Sequence, residues 1–130
     1  MKLLLDTHIW LWMKDAKDRI PSPVRRRLSR DSVTLYLYAA CVMEIAIKRS
    51  IGKLPMDVPV SELVERLLSQ GVIPLPVGID HALAAGALPP HHRDPFDRTL
   101  IAQARVEGFT LVTADPRIMQ YSVPTIDARK

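Results

Sequence analysis

Five acidic residues have the type and spacing to do chemistry. Asp6 directly follows the apolar run Leu3-Leu4-Leu5, and Asp115 lies two residues past Leu111-Val112-Thr113. Glu44 stands in the first turns of a helix-forming stretch. Asp94 and Asp97 open another such stretch at i, i+3 spacing, on one helix face. Carboxylates gathered at one spot repel and raise each other's pKa. A divalent cation removes that penalty, and an oxygen-only ligand set suits Mg²⁺ or Mn²⁺ rather than zinc. Mg²⁺ keeps several waters and leaves room for a phosphate oxygen. The chemistry this permits is phosphodiester hydrolysis: the phosphate is polarised, a bound water loses its proton, and attack is in line with the leaving oxygen. Taken singly, each acid has a plainer reading. Asp94 and Asp97 could cap a helix, Asp115 a turn before Pro116 and Asp6 the following helix, while Glu44 could be a surface residue. Convergence at one place decides for a site.

The surrounding elements predict that convergence. Lys2–Leu5 reads as a buried strand, followed by a helix over 8–13. Pro23–Arg30 reads as a helix with Ser22 as N-cap. Val33–Tyr38 is β-branched and aromatic, a second strand. Helices follow over Ala40–Ser50 and Val60–Ser69, then a short strand at Val72–Leu75 and a small helix at Asp80–Ala87. Pro95–Glu107 is a longer helix closed by Gly108, leading to a strand at Phe109–Thr113 and an edge strand at Val123–Ile126. The 11 prolines fall at the junctions. Strands alternating with helices imply an α/β fold with a mostly parallel sheet of four to five strands. In such sheets the site lies beyond the carboxyl ends of the strands.

Composition narrows the class. The chain has 130 residues, 48% of them apolar and 25% charged, which suits a single domain over 1–130 and excludes a disordered chain. Its apolar runs are too short for a membrane span or a signal-peptide core. The single cysteine, Cys41, excludes an internal disulfide, and a reducing cytoplasm is the expected location. The net charge is +4. Residues 1–31 hold eight basic and four acidic residues, and the remainder holds ten of each, so all the surplus lies in the first quarter. Arg25, Arg26, Arg27 and Arg30 cluster on one predicted helix. They could meet a polyanion or form a solvated face.

The residues also fall into four blocks: Leu3-Leu4-Leu5-Asp6-Thr7-His8; Glu44-Ile45-Ala46-Ile47-Lys48 with Ile51-Gly52-Lys53-Leu54; His92-Arg93-Asp94-Pro95-Phe96-Asp97-Arg98 continued by Leu100-Ile101-Ala102-Gln103-Ala104; and Leu111-Val112-Thr113-Ala114-Asp115. In this order, spanning residues 1–115, they resemble the PIN-domain ribonucleases, and specifically the VapC-type toxins of bacterial toxin–antitoxin pairs. The resemblance implies a three-layer α/β/α sandwich. It implies Mg²⁺ or Mn²⁺ held by Asp6, Glu44 and Asp97, with Asp115 as a fourth acid; the family motif aligns on Asp97 rather than Asp94. It implies endonucleolytic cleavage of RNA, such as a tRNA or rRNA loop, by metal-activated water. It also implies a homodimer neutralised by a VapB-type antitoxin. The chain departs from the pattern at Cys41, where relatives carry a hydroxyl residue, and at Met43, where they carry tryptophan.

Other residues carry weaker signals. Thr7 and Thr113 could hydrogen-bond the acids or serve as caps. Arg98 could hold an RNA phosphate or pair with an acid. His91 and His92 are adjacent, point apart and make a poor metal pair, with phosphate contact an alternative; His8 reads as structural. Trp10 and Trp12 read as core or interface. Leu63, Val64, Leu67 and Leu68 could serve core or partner. Cys41 reads as buried rather than nucleophilic. A haloacid-dehalogenase-type phosphatase also has an acid after its first strand, but needs a second Asp where His8 stands. A PIN-fold module that only binds nucleic acid or a partner gains nothing from acids facing phosphate.

Overall fold

Five short strands lie side by side, all parallel, in a structure that is a computed structural model describing residues 1–130. In chain order the elements are β1 (Lys2–Leu5), α1 (Thr7–Asp15), a 3₁₀ turn (Lys17–Arg19), α2 (Ser22–Leu28), β2 (Thr34–Tyr38), α3 (Ala39–Ser50), α4 (Val60–Ser69), β3 (Ile73–Leu75), α5 (Ile79–Ala87), α6 (Pro95–Glu107), β4 (Thr110–Thr113), α7 (Pro116–Met119) and β5 (Thr125–Asp127). The sheet order is β3-β2-β1-β4-β5. Leu3 pairs with Leu35 on one side and Thr110 on the other, and Leu4 with Tyr36 and Leu111.

β1 is central, and Leu3, Leu4 and Leu5 are each fully buried. Successive strand residues face opposite sides, so both faces of the sheet are covered. Right-handed crossovers put the helices between β1 and β3 on one face and those after β3 on the other. The core is one cluster of 26 residues, including Leu100, Ile101 and Ala104 of α6 and Ile45 of α3. Helix α6 ends at Gly108, whose φ of 75° lies in the left-handed region that glycine enters without strain. Leu63 of α4 is buried while Leu68 is exposed, so that apolar row is mainly core. No helix is long and apolar enough to cross a membrane.

From β1 the chain winds outward to β2 and β3, then returns to the other side of β1 for β4 and β5. The winding reverses between β1 and β4. The carboxyl ends of these two strands therefore flank the crevice where open parallel sheets build their sites.

Some boundaries differ from the sequence reading. Helix α2 begins at Ser22, with Pro21 as its N-cap, and ends at Leu28 rather than Arg30. Ser22 accepts a hydrogen bond from the Arg25 guanidinium (3.0 Å) instead of capping main-chain N–H groups. The edge strand is Thr125–Asp127, because Pro124 has no N–H to give and contributes only its carbonyl, which accepts from Leu111 N–H (2.9 Å). Helix α7 is an addition: Asp115 is its N-cap and Pro116 its first residue.

Candidate active site

The site is built from the ends of β1 and β4 and the starts of three helices. Asp6 is the first residue past β1 and the N-cap of α1. Its N–H donates to the Val112 carbonyl (3.1 Å), extending the β1–β4 ladder beyond the strand. One carboxylate oxygen accepts from Ile9 N–H (3.1 Å), and the other accepts from the Thr113 hydroxyl. That hydroxyl also accepts from Asp115 N–H (3.0 Å). One buried threonine thus ties Asp6 and Asp115 together across the two strands.

Glu44 enters from the second turn of α3 and is almost wholly buried. Its Oε1 accepts from the Thr7 hydroxyl (2.6 Å) and its Oε2 from the Lys48 ammonium (2.6 Å). Thr7 gives its proton to Glu44, so the Tyr38 hydroxyl, 3.1 Å away, donates to Thr7. Cys41 Sγ lies 3.4 Å from the same oxygen. Thr7 therefore supplies the hydroxyl contact to Glu44 that Cys41 does not. Burial pushes the Cys41 thiol up to about 12, so it is no nucleophile near neutral pH. Met43 is exposed.

Asp97 lies in the first turn of α6, and Asp94 is that helix's N-cap. Asp94 Oδ1 accepts from Phe96 N–H (2.8 Å) and Asp97 N–H (3.1 Å). The plainer capping reading is thus true of Asp94, which still faces Asp97 from one turn away. Asp115 likewise caps α7, accepting from Arg117 N–H (2.9 Å).

His92 joins these acids and was only weakly signalled. It is buried, and its Nδ1 accepts from Asp94 N–H (3.1 Å). The neutral ring therefore carries its proton on Nε2. That nitrogen shares its hydrogen bond with Asp115 Oδ2 (3.3 Å) and lies 2.8 Å from Asp97 Oδ2. The pattern His-x-Asp-Pro is the readable signal: two residues before a capping Asp, the ring can take the cap's own N–H. Lys48 was also missed as a partner of Glu44, although i, i+4 spacing on α3 predicts the pair.

The charges report the convergence. Burial raises Asp97, and the charges of Asp94, Asp6, Glu44 and Asp115 raise it further, to about 8. Burial also pushes Asp6 up, against the hydrogen bonds from Thr113 and Ile9. Asp115 falls below the usual carboxylate range, because the N–H and guanidinium of Arg117 together outweigh its burial. The Lys48 ammonium is raised by its bond to Glu44.

Arg98 is turned away from the acids. Its guanidinium donates five hydrogen bonds to the carbonyls of Ala85, Leu88, Pro89 and His92, at 2.8–3.2 Å, and pairs with no carboxylate. It fixes the turn that carries His92 rather than reaching for phosphate. Trp10 is core. Trp12 is half-buried under the Arg19 guanidinium (4.4 Å) and, with Asp6, His8 and Asp115, lines an open cleft of about 230 Å³ beside the acids.

A family model for the PIN domain matches residues 3–124. The chain belongs to the PIN domain family. No curated protein matches it significantly. The PIN fold recurs in VapBC2 from Rickettsia felis bound to a DNA fragment from their promoter, at 15% identity over 98% of each chain with a TM-score of 0.75. It recurs in VapBC-1 from nontypeable Haemophilus influenzae, at 19% identity over 100% of each chain with a TM-score of 0.67. DNA-bound VapBC from Salmonella typhimurium is 16% identical over 98% of each chain, with a TM-score of 0.66. At these identities the likeness is one of fold. PIN domains are generally nucleases and typically use divalent metal ions.

The residues of this PIN domain fit such an ion. The donors facing the crevice are carboxylate oxygens, and Asp97 carries a penalty that a cation would relieve. His92 clusters with Asp97 and Asp115, but its Nε2 carries a proton in the tautomer selected by Asp94, so it is a donor to the acids and not a ligand.

Proposed function

We propose that this PIN domain is a metal-dependent endoribonuclease, the toxin of a toxin–antitoxin pair, with Asp6, Glu44, Asp97 and Asp115 holding Mg²⁺ or Mn²⁺. The observation that carries the reading is the arrival of these acids, from separate elements, at the one place where the strand order reverses. Asp6 and Asp115 also cap helices that start there, but Glu44 and Asp97, which cap nothing, come to the same place.

The cation, when bound, supplies phosphate polarisation and water activation. The chain's own part is orientation. Thr113 aims Asp6, and Thr7 aims Glu44. His92 Nε2–H holds Asp115 beside Asp97, and Asp94 fixes the ring that does so. Lys48, part-exposed beside Glu44, is placed to meet a phosphate oxygen at the rim. The oxygen-only donor set supports Mg²⁺ or Mn²⁺ over softer ions.

Two apolar faces support two protein partners, an antitoxin and a second copy of the chain. Met43 and Ile47 on α3, with Ile51 at its C-cap, form an exposed i, i+4, i+8 row, and Ile79 and Leu83 an exposed i, i+4 pair on α5. The solved complexes named above are of VapBC pairs, which supports an antitoxin for this chain as well.

The test is incubation of purified protein with total RNA, with Mg²⁺ or Mn²⁺, with EDTA, and with Asp97→Asn beside wild type. Discrete fragments that need the metal and vanish in the variant are expected. A folded, antitoxin-free protein that cuts nothing would instead be a binding module.

A further inference from the structure

We propose that Lys48 is a built-in counter-cation: it keeps one oxygen of Glu44 for itself and so limits the acidic crevice to a single divalent ion. The proposal rests on the metal-dependent reading and adds the number of ions.

Five carboxylates around one crevice are enough to hold two divalent ions, an arrangement that clamps both the attacking and the leaving oxygen of a phosphodiester. Here one of the places is already taken by a cation of the chain. The Lys48 ammonium lies 2.6 Å from Glu44 Oε2. The charges of Asp94 and Asp97 act on it as well. Its charge thus serves three of the five acids.

An i, i+4 pair on a helix is commonplace, and on a wet surface it is worth little. Glu62 and Arg66 on α4 make such a pair (2.9 Å), with side chains 44% and 56% exposed. Glu44 differs. Its side chain is 4% exposed, whereas in every other pair made by a lysine or arginine the carboxylate is at least 22% exposed. Removing the ammonium would leave a buried charge with no counter-charge, which is costly. Thr7 serves the other oxygen only through a neutral hydroxyl. Arg117, the basic group on Asp115, is held more loosely, at 3.4 Å with its side chain 64% exposed.

Tethering adds to this. Lys48 is fixed four residues from Glu44 in the last turn of α3, where the negative end of the helix also favours a cation. An ion arriving from solution competes with a group that never diffuses away, and Mg²⁺ gives up its waters reluctantly. Each carboxylate oxygen has more than one lone pair, so Glu44 can serve a first ion, with Asp6, Asp97 and Asp115, while Lys48 stays. A second ion needs the place where the ammonium stands.

The test is Mn²⁺ binding to metal-free protein, counted by equilibrium dialysis and read by electron paramagnetic resonance. Wild type, Lys48→Met and Lys48→Arg are compared, all carrying Glu107→Gln so that the other histidine–acid cluster, at His81, contributes no ion. Each is checked by thermal melting. Wild type and Lys48→Arg are expected to bind one Mn²⁺ per chain, with the spectrum of an isolated ion. Lys48→Met is expected to bind two, with the spectrum of a spin-coupled pair. Two coupled ions in wild type, or fewer than two in a folded Lys48→Met, overturn the proposal. If Lys48→Met does not fold, Lys48→Gln, which keeps a donor without the charge, takes its place with the same expectation. No Mn²⁺ bound by wild type would remove the metal-dependent reading together with this inference. One ion bound without cleavage of RNA would remove the ribonuclease reading and leave the count of ions standing.

Discussion

Two histidines in this chain are held almost identically, and only one is placed to serve chemistry. His81 is buried at the start of α5, with Nδ1 accepting from Gly78 N–H (2.9 Å) and Nε2 lying 2.9 Å from Glu107 Oε1 on α6. His92 is buried before α6, with Nδ1 accepting from Asp94 N–H (3.1 Å) and Nε2 lying 2.8 Å from Asp97. Each belongs to a cluster of one histidine and two acids close enough to share an ion. The difference is what else arrives. Around His81, Asp80 spends an oxygen on His81 N–H (2.9 Å), Glu107 sits at the far end of α6, and Gln103 donates to Pro76 O (3.0 Å). That network fastens α5 to α6. Around His92, further acids come in from β1 and α3 at the point where the sheet reverses. Residue types make a cluster, and topology makes a site.

The sharpest way to break this contrast is to neutralise one acid in each cluster. Asp97→Asn is expected to lower cleavage by on the order of 10³-fold, since a misplaced metal forfeits several kcal/mol at the transition state. Glu107→Gln is expected to leave cleavage within about twofold and to cost stability of roughly 1 kcal/mol, as for one hydrogen bond. Single-turnover cleavage and thermal melting read both. A large activity loss in Glu107→Gln would refute the division.

The charge of Asp97 sharpens it further. Burial and four neighbouring acids raise its pKa from 3.8 to about 8 in the metal-free protein. The folded state therefore holds this proton more tightly than the unfolded chain. The stability it contributes is fully present below about pH 4 and is lost as pH rises toward 8. A cation must displace that proton, so Mn²⁺ affinity is expected to climb about tenfold per pH unit up to about pH 8 and then level. Mn²⁺ titration followed by electron paramagnetic resonance, from pH 6 to 9, checks it. A flat profile would mean that the acids do not share the ion.

Smaller effects are expected of the histidines themselves. His92→Ala should weaken Mn²⁺ binding by about 10- to 100-fold, the usual cost of losing a group that orients ligands, and His92→Gln should recover part of it through its N–H. His81→Ala should cost stability alone. Equal Mn²⁺ binding in wild type and His92→Ala would make both rings mere fasteners.

Much of this was legible in the sequence. Asp6 and Asp115 could be placed because they follow apolar strands at one edge, and strand–helix alternation makes that edge common to both. Asp94-Pro95 was readable as a helix start, an acid cap followed by a proline that needs no N–H partner. The same signature at Asp115-Pro116 announces α7, but the helix Pro116–Met119 is too short to show any apolar period. His92 was not legible as a partner of Asp97 and Asp115, because its role depends on the ring turning back to the N–H of a cap two residues later. Nor could Arg98 be oriented: whether a guanidinium meets carbonyls or phosphate depends on the turn at residues 85–92, which spacing along α6 does not describe. The charge surplus was visible in the first quarter of the chain, but which edge of the sheet it occupies follows only from the fold.

The smallest effect concerns Cys41, where the family resemblance leads one to expect a hydroxyl residue. Its sulfur lies 3.4 Å from the Thr7 hydroxyl, which is already committed to Glu44 at 2.6 Å. Cys41→Ser would place a stronger hydrogen-bonding group there, but its near neighbour is the Thr7 hydroxyl, and Glu44 is already aimed by Thr7 on one oxygen and Lys48 on the other. The new hydroxyl would be fully buried with Thr7 as its partner, so its desolvation is largely offset. Stability is expected to stay within about 1 kcal/mol and cleavage within about threefold. Thr7→Val should do what Cys41→Ser does not. It removes the proton that aims Glu44 and strands the Tyr38 hydroxyl, with an expected activity loss of 10-fold or more. If Cys41→Ser instead raised cleavage strongly, the support of Glu44 would reside at position 41, and the threonine that leads into α1 would be only a packing residue.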